Sequence, residues 1–304
     1  MIIGHQKQWQ FLKKSAELGR LSHAYLFSGQ EKLGKKTVAL EWISLLFGQS
    51  PTRLLTGVHP DFILITPVQK EIQISQIKDL NYRVSLRPYL ASFKTAIIDQ
   101  AHSMNQEAQN CFLKTLEEPR GKTLLILISE YPEFLLPTIR SRSEIIKFYQ
   151  VSKKEIENYL KEQGVEEKKA QVISQISQGK PGLVIDFLNQ PQKLKERTAV
   201  LNEIIRLTNS DLSLRFQYAQ KISQMPDLKE ILNIWLSYFR ENLISSLNSK
   251  VEPWKIEKLV KILEKIQSTN FLISTTNVNS RLALEILMFE LSFQPHFELP
   301  HYFK

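Results

Sequence analysis

Phe27-Ser28-Gly29-Gln30-Glu31-Lys32-Leu33-Gly34-Lys35-Lys36-Thr37 carries G-x-x-x-x-G-K between a short apolar run, Ala24–Ser28, and a segment of helical spacing, Lys35–Phe47. Backbone N–H groups of such a loop point into a concavity, and the helix N-terminus adds positive potential, so phosphates bind there. Lys35 would reach the terminal phosphates. The next residue should be Ser or Thr, to set a hydroxyl on Mg²⁺; here it is Lys36. Thr37 cannot simply substitute, because one further residue turns a side chain by about 100° around the helix axis. Gly29, Gly34, Lys35, Lys36 and Thr37 therefore read as a phosphate-binding loop whose metal half has degenerated.

Outward from this loop, strand-like and helix-like segments alternate. Gln6–Leu18 has helical spacing, Phe62–Ile65 reads as a strand, Ser75–Leu86 as a helix with Ser75 as its cap, and Lys94–Ile98 as a strand. Asn105–Glu117 is a helix stopped by Pro119, Thr123–Ser129 a long apolar strand, Phe134–Arg140 a short helix around Pro137, and Glu144–Phe148 a last strand. Strands separated by helices predict a parallel α/β sheet covered on both faces. After Tyr149 the pattern is helical, in a short group (Lys153–Gln163, Glu166–Gln178, Leu183–Leu188) and a longer one from Lys193 to Ser292. The expectation is an α/β domain over 1–150, a small helical domain over 151–190 and an all-α domain over 191–304, whose apolar stripes (Ile256, Leu259, Leu263, Ile266) suit oligomerisation.

A second motif, Lys94-Thr95-Ala96-Ile97-Ile98-Asp99-Gln100-Ala101-His102, sets an acid at the end of a buried strand, where a P-loop protein holds Mg²⁺. Hydrolysis also needs a carboxylate to activate water, most naturally the next residue, and Gln100 cannot accept a proton at neutral pH. Asp99 alone would read as a turn cap; coupled to the glycine loop it reads as part of a nucleotide site.

Asn110-Cys111-Phe112-Leu113-Lys114-Thr115-Leu116-Glu117-Glu118-Pro119 is similar to the N-x-x-L-K-T-L-E-E-P signature of AAA+ clamp loaders, and Leu136-Pro137-Thr138-Ile139-Arg140-Ser141-Arg142-Ser143 resembles their L-P-T-I-x-S-R-C segment. His59-Pro60-Asp61 and Asn277-Val278-Asn279-Ser280-Arg281 resemble the δ′ branch of the bacterial family. The resemblance implies an AAA+ module with a helical lid and collar, in a machine with δ and γ/τ subunits that loads a sliding clamp onto primed DNA for DNA polymerase III. It implies that Arg142, with Ser141 beside it, reaches the γ-phosphate held by a neighbouring ATPase subunit. Ser129 stands where the family has a γ-phosphate sensor, or is a plain strand-end hydroxyl. Gly182 stands where the motor subunits carry a nucleotide-touching arginine. Loss of the cis parts at Lys36, Gln100 and Gly182, with Arg142 kept, is the δ′ pattern. No cofactor is then required, and any ATP or ADP binding is weak. Most relatives carry a four-cysteine zinc module before the His-Pro-Asp segment. Here Gly48–Val58 has no cysteine, so zinc is excluded.

Composition agrees with a globular chain. Among 304 residues, 42% are hydrophobic and 23% charged, and a single cysteine, Cys111, rules out a disulfide framework. Apolar runs are too short to span a membrane, and the N-terminus has no secretory pattern, so a cytoplasmic protein is expected. The net charge of +9 is compatible with a phosphate-bearing partner. Arg83 and Arg87, four apart on the predicted helix Ser75–Leu86 and its end, could face one DNA backbone together or simply be solvated. The competing reading is an active γ/τ-type ATPase, against which Lys36, Gln100 and Gly182 all count.

Overall fold

The computed structural model describes residues 2–55, 59–118, 122–247, 252–275 and 278–291. Pro119, the 56–58 end of the cysteine-free linker, Asn277, His296 and His301 lie outside them. The first half of the chain runs α1 Gln6–Glu17, β1 Ala24–Ser28, α2 Lys35–Phe47, α3 Pro51–Leu55, β2 Phe62–Ile65, α4 Ile74–Ser85, β3 Lys94–Ile98, α5 Gln106–Glu117, β4 Thr123–Ser129, α6 Pro137–Ser141 and β5 Glu144–Lys147. The second half is helical: α7 Lys153–Glu162, α8 Glu167–Ser177, α9 Pro181–Asn189, α10 Pro191–Thr208, α11 Leu212–Ile222, α12 Leu228–Leu247, α13 Pro253–Thr275 and α14 Ser280–Glu290.

The strands form one sheet in the order β2-β3-β4-β1-β5, and every pairing is parallel. Such a sheet must be covered on both faces, and the strand alternation distributes the core accordingly. Leu26, Ala96, Ile98, Leu125 and Leu127 pack with Ile77, Leu80, Val84, Phe112 and Leu116 of α4 and α5. Tyr25, Phe27, Ile97, Ile126 and Ile128 pack on the other side with Leu12, Val38, Trp42 and Ile43 of α1 and α2. The Trp42 indole N–H donates to the Leu12 carbonyl at 3.1 Å, satisfying the polar atom of that buried ring.

The chain divides into two compact units, Met1–Ile185 and Asp186–Lys304, with the boundary inside α9. Helices α7 and α8 belong to the first unit. Within the second, α12 packs along α10 and α13, and α14 along α11 and α13. There the buried Arg215 guanidinium donates to the carbonyls of Leu207, Thr208 and Ser210 at the end of α10 and to Met288 of α14, fastening three helices without a carboxylate.

Several boundaries differ from the sequence reading for identifiable reasons. Helix α4 starts at Ile74, capped by Gln73, whose N–H donates to the Gln76 side chain at 3.0 Å, rather than by Ser75. The expected helix Phe134–Arg140 is a 3-10 turn, Pro132–Phe134, followed by α6, because Pro137 takes the first helical position where its missing N–H costs nothing. Pro181 likewise opens α9, earlier than the expected Leu183. Helix α13 runs unbroken from Pro253 to Thr275. Asn279 caps α14, accepting from the N–H groups of Arg281 and Leu282.

His59-Pro60-Asp61 acquires a physical role. The fully buried Asp61 carboxylate accepts from the N–H groups of Tyr89 (2.8 Å), Leu90 (2.7 Å) and Ala91 (2.8 Å), and pairs with Lys94 at 3.1 Å. Burial pushes this carboxyl up, but the three N–H donors and the ammonium outweigh it and hold it at about 2. Because the folded value lies below the unfolded one, the stabilisation is complete above about pH 4 and is lost as the pH falls through the folded value. Asp61→Asn should cost about 3 kcal/mol at neutral pH, since it also leaves buried Lys94 without its charge partner. Urea titrations of both chains should show that difference shrinking as the pH falls from about 4 to about 2.

Candidate nucleotide cleft and the interface arginine

The glycine loop leaves β1 between β4 and β5, and its path is set by that crowding. Gly29 has φ +149°, and a Cβ there would lie 2.5 Å from the Phe148 carbonyl oxygen, so only glycine passes. Its N–H donates to Ser129 O at 3.2 Å, tying the loop to the end of β4. Gly34 then caps α2, and the concavity above is a cleft of about 360 Å³ lined by Gly34, Lys35, Lys36, Thr37, Asp99, Gln100, His102, Glu130 and Gly182, among others. The structure thus brings Gly34, Lys35, Lys36, Thr37 and Asp99 into one cleft, whereas Gly29 and Ser129 are not among its lining residues. It adds His102 and Glu130, which strand-and-loop spacing alone did not single out.

The electrostatics of the cleft are internally balanced. The Lys35 ammonium is buried and donates to the carbonyl oxygens of Gly29 and Gln30, the latter at 2.5 Å. Burial lowers its pKa to about 8 against the opposing pull of Glu130, Asp99 and Glu31. Lys36 pairs with Asp99, Nζ to Oδ2, at 3.0 Å, and the other Asp99 oxygen accepts the Gln100 N–H at 3.1 Å. The acid that would hold a metal therefore faces an ammonium from the loop itself. The fully buried Ser129 has its hydroxyl 3.3 Å from His102 Nδ1, which also accepts the Glu130 N–H at 3.4 Å. Burial lowers the His102 pKa and so favours the neutral ring.

Mg²⁺ does not fit this donor set. The hydroxyl that would ligate it is replaced by Lys36, and the Asp99 carboxylate at the end of β3 is already charge-paired. A nucleotide would have to draw Lys35 off the loop carbonyls to use it. The site's far wall is also closed: the Gly182 N–H of α9 donates to Lys32 O at 2.7 Å, and a Cβ on Gly182 would sit 2.8 Å from that oxygen.

Arg142 follows α6 at the edge of the sheet. Its guanidinium pairs with Glu117 at the end of α5, Nη2 to Oε1 at 2.9 Å. A second terminal nitrogen donates to Thr138 O at 3.2 Å, and the side chain keeps 37% of its surface exposed. The Ser141 hydroxyl also donates to Thr138 O, at 3.1 Å, and Ser143 to Ile139 O, at 2.9 Å. Arg83 and Arg87 do not share a helix, contrary to what the expected span Ser75–Leu86 and its end implied. Helix α4 ends at Ser85, Leu86 is extended at ψ 151°, and Arg87 lies beyond the helix before Pro88, while Arg83 pairs with Asp79 at 3.8 Å.

The tight seat of Gly182 yields a direct stability test. Gly182→Ala should push α9 off the Lys32 backbone and lower stability by about 1–3 kcal/mol, read as a lower urea midpoint with an unchanged m-value.

Comparison with known proteins gives the lineage of this arrangement. Residues 4–152 match the family model described as DNA polymerase III, delta subunit. The DNA polymerase III subunit delta′ of Pseudomonas aeruginosa is 38% identical over 135 residues, which cover 40% of this chain and 41% of that protein. The corresponding subunit of Bacillus subtilis is 36% identical over 179 residues, covering 55% of this chain and 54% of that protein. The chain thus spans about half the length of the curated relatives it matches. The subunit gamma of Buchnera aphidicola is 30% identical over 172 residues, covering 53% of this chain and 47% of that protein. A DNA polymerase III gamma subunit-related protein from Thermotoga maritima shares the fold, with a TM-score of 0.51 at 19% identity over 92% of this chain and 98% of that one. Through residues 4–152, just under half of its length, the chain is similar to the DNA polymerase III delta-subunit family and to the δ′ subunits of these two bacteria.

Proposed function

We propose that this chain is a δ′-type clamp-loader subunit with no hydrolytic site of its own, which supplies Arg142 to the nucleotide of a neighbouring γ/τ-type ATPase subunit. It would assemble with δ and γ/τ subunits in the cytoplasm and assist in loading a sliding clamp onto primed DNA. In this reading 151–190 act as a lid and 191–304 as the collar segment. The observation that carries the reading is the Lys36–Asp99 ion pair at 3.0 Å, an internal cation where a hydrolytic site needs a metal. Gln100 and the closely packed Gly182 point the same way. ATP or ADP binding in the cleft is weak in this reading, and no cofactor is needed.

The Arg142 side chain supports the trans role by chemistry and exposure. A guanidinium stays charged and bonds several phosphate oxygens at once, and this one is held at the surface rather than buried in a core pair. The gamma-type similarity would favour an active ATPase, but the three altered positions are the ones that chemistry requires. DNA contact by Arg83 and Arg87 acting together finds no support in the geometry and is not part of the proposal.

Two measurements test the reading. The purified chain should show no appreciable ATP turnover; a rate of order 1 per second abolished by Lys35→Ala would overturn it, since such rates need an intact site. In the reconstituted complex, Arg142→Ala should leave the subunit incorporated, since a surface arginine contributes little to stability. Single-turnover hydrolysis at the adjoining site should fall on the order of 10³-fold, with poor rescue by Arg142→Lys. Hydrolysis unchanged at that site would remove the finger role.

A further inference from the structure

We infer that Glu117 is a positioning residue for Arg142: its carboxylate holds the guanidinium at the angle from which a neighbour's phosphate is reached. The inference rests on the trans-arginine reading above and extends it to a residue that reading does not contain.

The geometry separates what Glu117 uses from what it leaves. A guanidinium has five N–H donors in a rigid fork. Glu117 Oε1 takes one on Nη2 and Thr138 O takes one on Nη1, so both terminal nitrogens are fixed by different elements, α5 and α6. The other three N–H groups have no partner among the described residues. Two anchors on a planar group restrict its rotation and leave three donors for another ligand. A long side chain just past a five-residue helix would otherwise sample many rotamers, and that freedom must be lost before phosphate can be bonded. Glu117 removes most of that cost before the neighbour arrives.

The pair also suits the task by being weak as a structural element. Arg142 keeps 37% and Glu117 47% of its side-chain surface exposed, so water screens their attraction and the fold does not depend on it. A buried pair would resist sharing its arginine with a phosphate, whereas this one tolerates it. The backbone beneath is firm: Leu116 and Ile139, next to the two elements' ends, are buried in the same core cluster, so the distance between α5 and α6 is set by packing.

The test uses the reconstituted complex and reads single-turnover hydrolysis at the adjoining site. Glu117→Ala should lower kcat about tenfold with KM for ATP nearly unchanged, because the arginine is misaimed for the transition state rather than lost from ground-state binding. Glu117→Gln retains an acceptor oxygen for Nη2 and should recover most of the loss. In an Arg142→Ala background, Glu117→Ala should have no further effect, since the two act as one unit. If Arg142→Ala is crippling while Glu117→Ala hydrolyses at the wild-type rate, the positioning role is wrong and the finger stands. A loss of equal size in both backgrounds, or Gln no better than Ala, would likewise overturn it. An Arg142→Ala complex with full activity would bring down the finger reading, and this inference with it.

Discussion

Strand β1 sits between β4 and β5, and that placement governs what leaves its carboxyl end. The chain emerging at Gly29 has the Phe148 carbonyl against it on one side and the end of β4 on the other, so it turns through a conformation closed to other residues. Once the loop is forced into that path, α2 begins where Lys35 and Lys36 meet the ends of β1 and β3. Ligands in open α/β sheets bind outside the carboxyl ends of strands for this reason: it is where loops and helix N-termini converge. The cleft exists because of the sheet order, and its contents are a separate matter.

Those contents describe a site whose charges satisfy one another. Lys36 answers Asp99, and Lys35 is drawn back onto the loop carbonyls. In a hydrolytic P-loop the same charges would be directed outward, at a metal and at phosphate. Here those charges are met by partners within the protein. At the opposite edge Arg142 is presented with three N–H groups unassigned among the described residues. Under the function proposed above, this contrast between a self-satisfied cleft and an under-committed arginine is what would set the chain apart from a subunit that turns over nucleotide.

Much of this was legible in the chain and some was not. The alternation of apolar runs with helical spacing reveals the parallel sheet, because both-face burial makes strands nearly continuous in apolar residues, as in Lys94–Ile98 and Thr123–Ser129. The loss of the metal hydroxyl is visible in Lys36 as a letter. That its ammonium reaches Asp99 depends on where β1 and β3 lie in the sheet, which no local pattern encodes. Glu117 was visible within a recognised motif, yet its partnership with Arg142 is tertiary and silent in sequence. Arg87 is the opposite case: Pro88 already disfavours helix at the residue before it, so the end of α4 could have been read correctly. Asp61 was recognised only as a motif letter, and its work on residues 89–91 required the loop to be seen.

The seat of Gly182 also has a bearing on how such a protein can change over time. The three cis losses differ in their reversibility. Restoring a hydroxyl at Lys36 or a carboxylate at Gln100 asks for new side chains at positions that are partly open to the cleft. Restoring an arginine at Gly182 asks for atoms where the Lys32 backbone already stands, 2.8 Å away, so the helix and loop must part before the substitution is tolerated. Under the proposed function, a route to hydrolysis through this position would have to open the contact between α9 and the Lys32 backbone first, at a cost in folding.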